Sequence, residues 1–235
     1  MKEMKGIDIE TPFPRMTYEE AMRRFGSDKP DTRFGFELQD ISDIVKDCEF
    51  KVFTDAIAAG GSVRAICIDG AAESYTRKKI DKLTEAVKSY GAKGMVWMKV
   101  AEDGVSSSVN KFFTSEQLAD IASSLGAKAG DLILIISDKN NVVFDSLGFL
   151  RRHIAGEMGL LDDNQFNFLW VVDFPLFEYD EKEDRWSAMH HPFTSPKAEH
   201  AQLLKEDPHA CLANAYDIVL NGVELGGGSF RIHYQ

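Results

Sequence analysis

The chain holds 235 residues, 44% of them hydrophobic and 28% charged, with a net charge of −11. That apolar content supports one large core or two small ones and excludes a disordered chain, while the acidic balance excludes a stand-alone nucleic-acid binder, which needs clustered Lys and Arg. No apolar run approaches the roughly 18 residues of a membrane span, and the charged start Met1-Lys2-Glu3-Met4-Lys5 is no secretory signal, so a soluble, cytoplasmic protein is expected.

The first predicted helix begins at Thr17-Tyr18-Glu19-Glu20, where Thr17 can accept from a backbone N–H while Glu20 reaches back, and Gly26 ends it. The next loop, Gly26-Ser27-Asp28-Lys29-Pro30-Asp31, is dense in turn-formers and charge. Asp28, Lys29, Asp31 and Arg33 read either as a charged clamp or as a solvated turn. From about residue 38 to 155, short strands and helices alternate. Strands are expected over residues 62–69 and 94–100, with Ile80, Leu83, Val87 and Tyr90 on one face of a helix between them. A capping box of Thr114 with Gln117 opens a helix carrying Leu118, Ile121 and Leu125, closed by Gly126. The apolar run 132–136 predicts a buried strand, turned by Asp138-Lys139-Asn140-Asn141 into Val142-Val143-Phe144, before a helix with Leu147, Leu150, Ile154 and Met158. This block reads as a compact α+β module without a catalytic constellation, so its default role is binding or spacing. Its Cys48 and Cys67, like the distant Cys211, show no CxxC spacing and read as free thiols in a reducing compartment.

The last part returns to antiparallel signals. Residues 168–173 form one expected strand, and 177–179 and 186–189 flank an acidic turn. A short helix is expected near 198–205. It precedes a hairpin of residues 214–220 and Val223 onward, joined by Asn221-Gly222.

The hairpin has chemical content. A two-residue loop sets Leu220 opposite Val223 and Val219 opposite Glu224, so Asp217 and Glu224 become diagonal neighbours on one face, about 7–8 Å apart. Two carboxylates so placed repel unless a cation lies between them. The pair reads either as a site for magnesium shared with substrate phosphates or as a solvated polar face. The glycines Gly226-Gly227-Gly228 permit a bulge or a close approach to backbone. One extra residue in the ladder would bring Arg231 onto the face of Glu224, where strict alternation would not. The run lacks the Lys and helix of a P-loop. In the segment 189–196, adjacent His190 and His191 cannot both point inward from a regular strand, which argues against a zinc site. With two prolines and a Thr-Ser pair, it reads as a stiff lid offering imidazole donors to an anion.

Taken together, these words resemble the bacterial aspartyl-tRNA synthetases over essentially the whole chain. The likeness is carried by Met16-Thr17-Tyr18-Glu19-Glu20-Ala21, Arg24-Phe25-Gly26-Ser27-Asp28-Lys29-Pro30-Asp31, Leu169-Trp170-Val171-Val172-Asp173-Phe174-Pro175, residues 188–196, and Ala213-Asn214-Ala215-Tyr216-Asp217 through Gly222 to His233. The middle block resembles the GAD domain inserted in bacterial members. The resemblance implies an α+β fold: part of a class II antiparallel sheet with flanking helices (residues 1–37 and 156–235), interrupted by a GAD-like insert at 38–155. It implies activation of L-aspartate by ATP with Mg2+, then transfer to tRNA, by a cytoplasmic homodimer. It assigns magnesium to Asp217 and Glu224, ATP to Glu224, and aspartate to His190, His191 and Arg231. A guanidinium can hold the aspartate carboxylate bidentately and reject neutral asparagine. The arginine motif for the α-phosphate, the Gly-rich motif for adenine and the anticodon barrel would lie outside these residues. The chain opens inside what reads as a helix and stops inside a strand, so it reads as a piece of a longer protein, inactive alone. A second reading is a stand-alone RNA- or protein-binding module built on the insert, and longer flanking sequence would separate the two.

Overall fold

The computed structural model describes residues 6–180 and 183–233. The helix expected at the start of the chain falls on Met1–Lys5, outside the described residues. So do Glu181 and Lys182 of the acidic turn, and the final two positions of the expected terminal strand. The described chain divides into two compact units. One comprises residues up to Met22, Asp28–Arg33 and the chain from Asp162 onward; the other comprises Arg23–Ser27 and Phe34–Leu161.

The first unit is built on a four-stranded sheet of β1 (Arg15–Thr17), β7 (Phe168–Val172), β10 (Ala215–Leu220) and β11 (Val223–Ser229), in that order. Its β7–β10 and β10–β11 pairs are antiparallel, as expected, whereas β1 runs parallel to β7 with Met16 beside Val171. Leu169, Val171, Ala213, Ala215 and Val219 form its core with Ala21 and Phe174. Thr17, the last residue of β1, caps the helix Tyr18–Phe25 by accepting the Glu20 backbone N–H at 3.1 Å. A two-stranded ribbon, β8 (Phe177–Asp180) and β9 (Arg185–Ala188), flanks the expected acidic turn.

The second unit has a five-stranded, wholly antiparallel sheet in the order β2 (Gln39–Asp40), β3 (Ser62–Ile68), β6 (Leu132–Asp138), β4 (Val96–Ala101), β5 (Gly104–Ser107). Ile66, Ile68, Leu132, Leu134 and Ile136 pack on the helices Arg77–Lys88 and Asn140–Glu157. Val63, Ala65, Ile133 and Ile135 face the helices Lys51–Ala58 and Ser115–Ser124. Burial on both faces explains the continuous apolar run, since every side chain of β6 up to Ile136 leaves water. The Thr114–Gln117 capping box forms with both of its hydrogen bonds.

One expectation fails here. Val142-Val143-Phe144 is not a strand but lies in the first two turns of the Asn140–Glu157 helix. Helical placement aligns Val143 with Leu147, Leu150 and Ile154, all fully buried, and that gain of about 1.5–3 kcal/mol per side chain outweighs the few tenths lost to β-branching. The second unit includes Phe36 in its core, the helix to Glu157, and Leu161 packed against it. Among the described residues, no helix is long and apolar enough to cross a membrane.

Candidate functional site

The hairpin closes through Asn221 and Gly222, both with positive φ (52° and 80°), the geometry a two-residue reversal with right-handed twist requires. Leu220 pairs with Val223 and Val219 with Glu224, but Ile218 then pairs with Gly226, so Leu225 is the extra residue of a bulge. Beyond it, Gly227 lies opposite Asp217 and Ser229 opposite Ala215. Arg231, two residues on, keeps that parity and bridges to Thr194.

Asp217 is 5% exposed, on the face of β10 that carries Val219. Its Oδ1 is 3.6 Å from His190 Nε2. The His190 ring is held edge-on against Phe174, with centroids 4.3 Å apart. His191 turns away: its Nδ1 accepts the Phe193 backbone N–H at 3.0 Å, and its side chain remains in its own loop. The segment around them is not a free lid. Ser195 N–H donates to Phe230 O (2.8 Å), Ile232 N–H to Phe193 O (2.8 Å), and the Asn214 amide to Pro196 O (2.8 Å). Backbone pairing on both sides, plus the buried Thr194 bonded to Ser229 Oγ at 3.1 Å, fixes it to the sheet. Arg231 is exposed, and among the described residues no ion pair engages it.

Glu224, on the edge strand, meets Lys29, whose Nζ is 3.5 Å from Glu224 Oε2 and 2.9 Å from Asp28 Oδ2. Burial works to lower the Lys29 pKa, but the hydrogen bond to Asp28 and the charges of Asp28 and Glu224 outweigh it and raise it. The loop bearing Lys29 is not a solvated turn. Asp31 is fully buried and accepts from Arg33 Nε (3.0 Å), Nη2 (2.8 Å) and backbone N–H (3.2 Å). Lys29 thus stands beside an expected site residue, and its only signal in the sequence was charge density in a short loop.

Asp217 and Glu224 supply hard carboxylate oxygens, and among the described residues they belong to no group of three metal-ligating side chains. This set suits a divalent cation completed by substrate phosphates, not an all-protein cage. A different cluster, Cys67, Asp69 and Asp131, brings three ligand atoms within 4.8 Å in the second unit. It is structural. Asp131 accepts the backbone N–H groups of Gly70 and Lys128, each at 2.8 Å, and burial, then the charges of Asp131 and Asp69, push the Cys67 thiol up to about 12. A protonated thiol is a poor metal ligand.

On the opposite face of the first sheet, a cavity of about 590 Å3 is lined by Arg15, Trp170, Val172, Lys197, Tyr216 and Phe230, and contains none of the expected site residues. The second unit has a cavity of about 670 Å3 where β4 diverges from β6, lined by Phe50, Met95, Val96, Ser137 and Lys139 among others.

Comparison with known proteins identifies a family. The family described as tRNA synthetases class II (D, K and N) matches residues 1–235. The chain is 56% identical over 235 residues to an aspartate–tRNA ligase of Macrococcus caseolyticus, covering 100% of this chain and 40% of the relative. It is 57% identical over 235 residues to the aspartate–tRNA ligase of Ruminiclostridium cellulolyticum, again 100% of this chain and 40% of that one. An aspartate–tRNA(Asp/Asn) ligase of Bacillus cytotoxicus is 56% identical over 233 residues, 99% of this chain and 40% of the relative. The chain thus spans about 40% of the length of the curated relatives it matches.

Proposed function

Because this chain belongs to the class II tRNA synthetases of the D, K and N group, we propose that the longer protein containing it is an aspartate–tRNA ligase. It would activate L-aspartate with ATP to aspartyl-adenylate and pass the aspartyl group to tRNA. Relatives named for tRNA-Asp alone and for tRNA-Asp and tRNA-Asn match about equally well, so this segment does not separate the two. Family membership also supports a homodimer in the cytoplasm.

The observation that carries the reading is the bulge at Leu225, which gives Gly227 and Ser229 the parity of Asp217, with Arg231 bridged to Thr194 just beyond. In this reading Asp217 and Glu224 would hold Mg2+ together with the ATP phosphates, and the ion would supply neutralisation of phosphate charge. Arg231 takes the aspartate side-chain carboxylate as a planar, bidentate donor, and His190, fixed between Phe174 and Asp217, closes the amino-acid end. His191, already engaged by its own loop, contributes less. No side chain here needs to act as a nucleophile: positioning and charge neutralisation do the work.

The test is aspartylation by the full-length protein and its Arg231→Leu variant. The expected result is aspartate-dependent charging in the parent and a loss of at least about 100-fold in kcat/KM for aspartate in the variant, as for a charge-assisted bidentate pair. An unchanged aspartate KM in the variant would reject the assignment.

A further inference from the structure

Glu224 is the weakly held member of the proposed site. Its strand is an edge, the bulged Leu225 follows it, and its side chain is 39% exposed. Among the described residues its ion-pair partner is Lys29, and Lys29 stands on a loop fixed from within. Asp31 at 0% exposure and Arg33 at 8% lock the turn, and Arg33 Nη1 donates to Asp162 O at 3.2 Å. Asp28, at 2.9 Å, holds the ammonium from the other side.

We propose that Lys29 is a positioning residue of the nucleotide site: it holds the Glu224 carboxylate in a single orientation and adds a positive charge where the triphosphate arrives. The inference rests on the reading of Asp217 and Glu224 as the pair that takes magnesium with ATP. Its physical basis is a division of labour within one loop. The buried Asp31–Arg33 pair supplies the loop's stability. The Lys29–Glu224 pair is more than a third exposed on both sides, and a pair so exposed contributes little to folding. What such a pair does supply is direction. A glutamate has three side-chain torsions to fix, and one anchored ammonium removes most of that freedom before the ligand binds. The ammonium also offsets Asp28 and Glu224, two carboxylates that would otherwise repel a polyanionic nucleotide.

The experiment uses the full-length ligase carrying this segment. Calorimetric titration with the magnesium complex of the α,β-methylene analogue of ATP reads nucleotide affinity without turnover. For Lys29→Met the Kd should rise roughly fivefold, the upper range for an exposed ion pair. The KM for aspartate should stay within about twofold, and Lys29→Arg should restore most of the affinity, since it keeps the charge. In a Glu224→Gln background, Lys29→Met should cost less than it costs alone, because the orienting part of its effect passes through Glu224. Unchanged analogue affinity in Lys29→Met, an equal loss for aspartate, or full additivity with Glu224→Gln would each overturn the proposal. If Glu224→Gln itself binds the analogue normally, the magnesium reading falls, which is a separate and distinguishable result.

Discussion

The Asp217 carboxylate lies across the backbone of Gly227: a Cβ built on that glycine would overlap Oδ1 and come within 3.0 Å of Cγ and 3.1 Å of the Tyr216 carbonyl. The glycine run therefore has a side-chain cause. Gly228 is in the same position with respect to Tyr216, whose hydroxyl would be 2.8 Å from an added Cβ. Asp217 can stand on a covered sheet face, 5% exposed and beside His190, only because the facing strand leaves it room.

Gly227→Ala should therefore displace Asp217 without unfolding the unit. In the full-length enzyme the expected result is a fall of about 100-fold in ATP–pyrophosphate exchange, the scale on which a catalytic group misplaced by about 1 Å acts. The circular dichroism spectrum should be unchanged. Exchange within about threefold of the parent would show that Asp217 is not needed where it stands.

The 235 residues on their own should give no exchange above background, as the chain spans about 40% of its relatives. The sheet supports this expectation. Val223, Leu225, Phe230 and Ile232, on edge strand β11 and just beyond it, are each more than half exposed, so the rim beside the expected site stands open to water. Measurable exchange by the purified chain would overturn it.

What the sequence disclosed was what short stretches determine by themselves. Asn221-Gly222 requires positive φ at two successive positions and so dictates the reversal, the Val219–Glu224 register and the face of Asp217. Thr114 and Gln117 satisfy each other's end of a helix within four residues. The features that escaped depend on distant partners. Val142 and Val143 have strand-forming side chains, but burial against β3 and β6 makes them helical. Nothing near residue 15 announces that β1 will lie parallel to β7. Lys29 and Glu224 are nearly the length of the chain apart, so local charge could not separate a clamp from a solvated turn. The segment after His190 has the composition of a lid, yet its backbone groups are taken by Phe230 and Asn214.

Stability of the second unit should fall at alkaline pH through Tyr75. This tyrosine is 2% exposed and donates to Glu157 Oε2 at 2.6 Å; burial, then that hydrogen bond and the Glu157 charge, raise its pKa above the ordinary value. An unfolded tyrosine ionises near pH 10 while the folded one stays protonated, so the contribution is full below about 10 and is lost as pH rises beyond it. Tyr75→Phe should cost about 1 kcal/mol at neutral pH and flatten the alkaline decline. Urea midpoints at neutral pH and about one unit above the ordinary tyrosine range check both; parallel declines in the two proteins would contradict the assignment.

Arg151 should prove the costliest single polar change in the second unit. It lies mid-helix at 1% exposure, where sequence alone gives no reason to bury an arginine. Its guanidinium donates to Phe34 O (3.2 Å), Gly35 O (2.8 Å) and Phe36 O (3.3 Å), and it packs over the rings of Phe25 and Phe34, 4.8 and 4.3 Å from their centroids. Three successive carbonyls of an irregular segment, with no strand to pair with, are thus satisfied by one planar donor, which a lysine could not match. Arg151→Met keeps much of the volume but leaves the buried Phe36 carbonyl unpaired and weakens the hold on the more open Phe34 and Gly35 carbonyls, so a loss of about 1–3 kcal/mol is expected. Arg151→Lys should recover less than half of it. Chemical denaturation of the three proteins decides the matter: if Met and Lys are equally mild, the carbonyls find water instead, and segment 34–36 is held by Phe36 and Leu38 in the core alone.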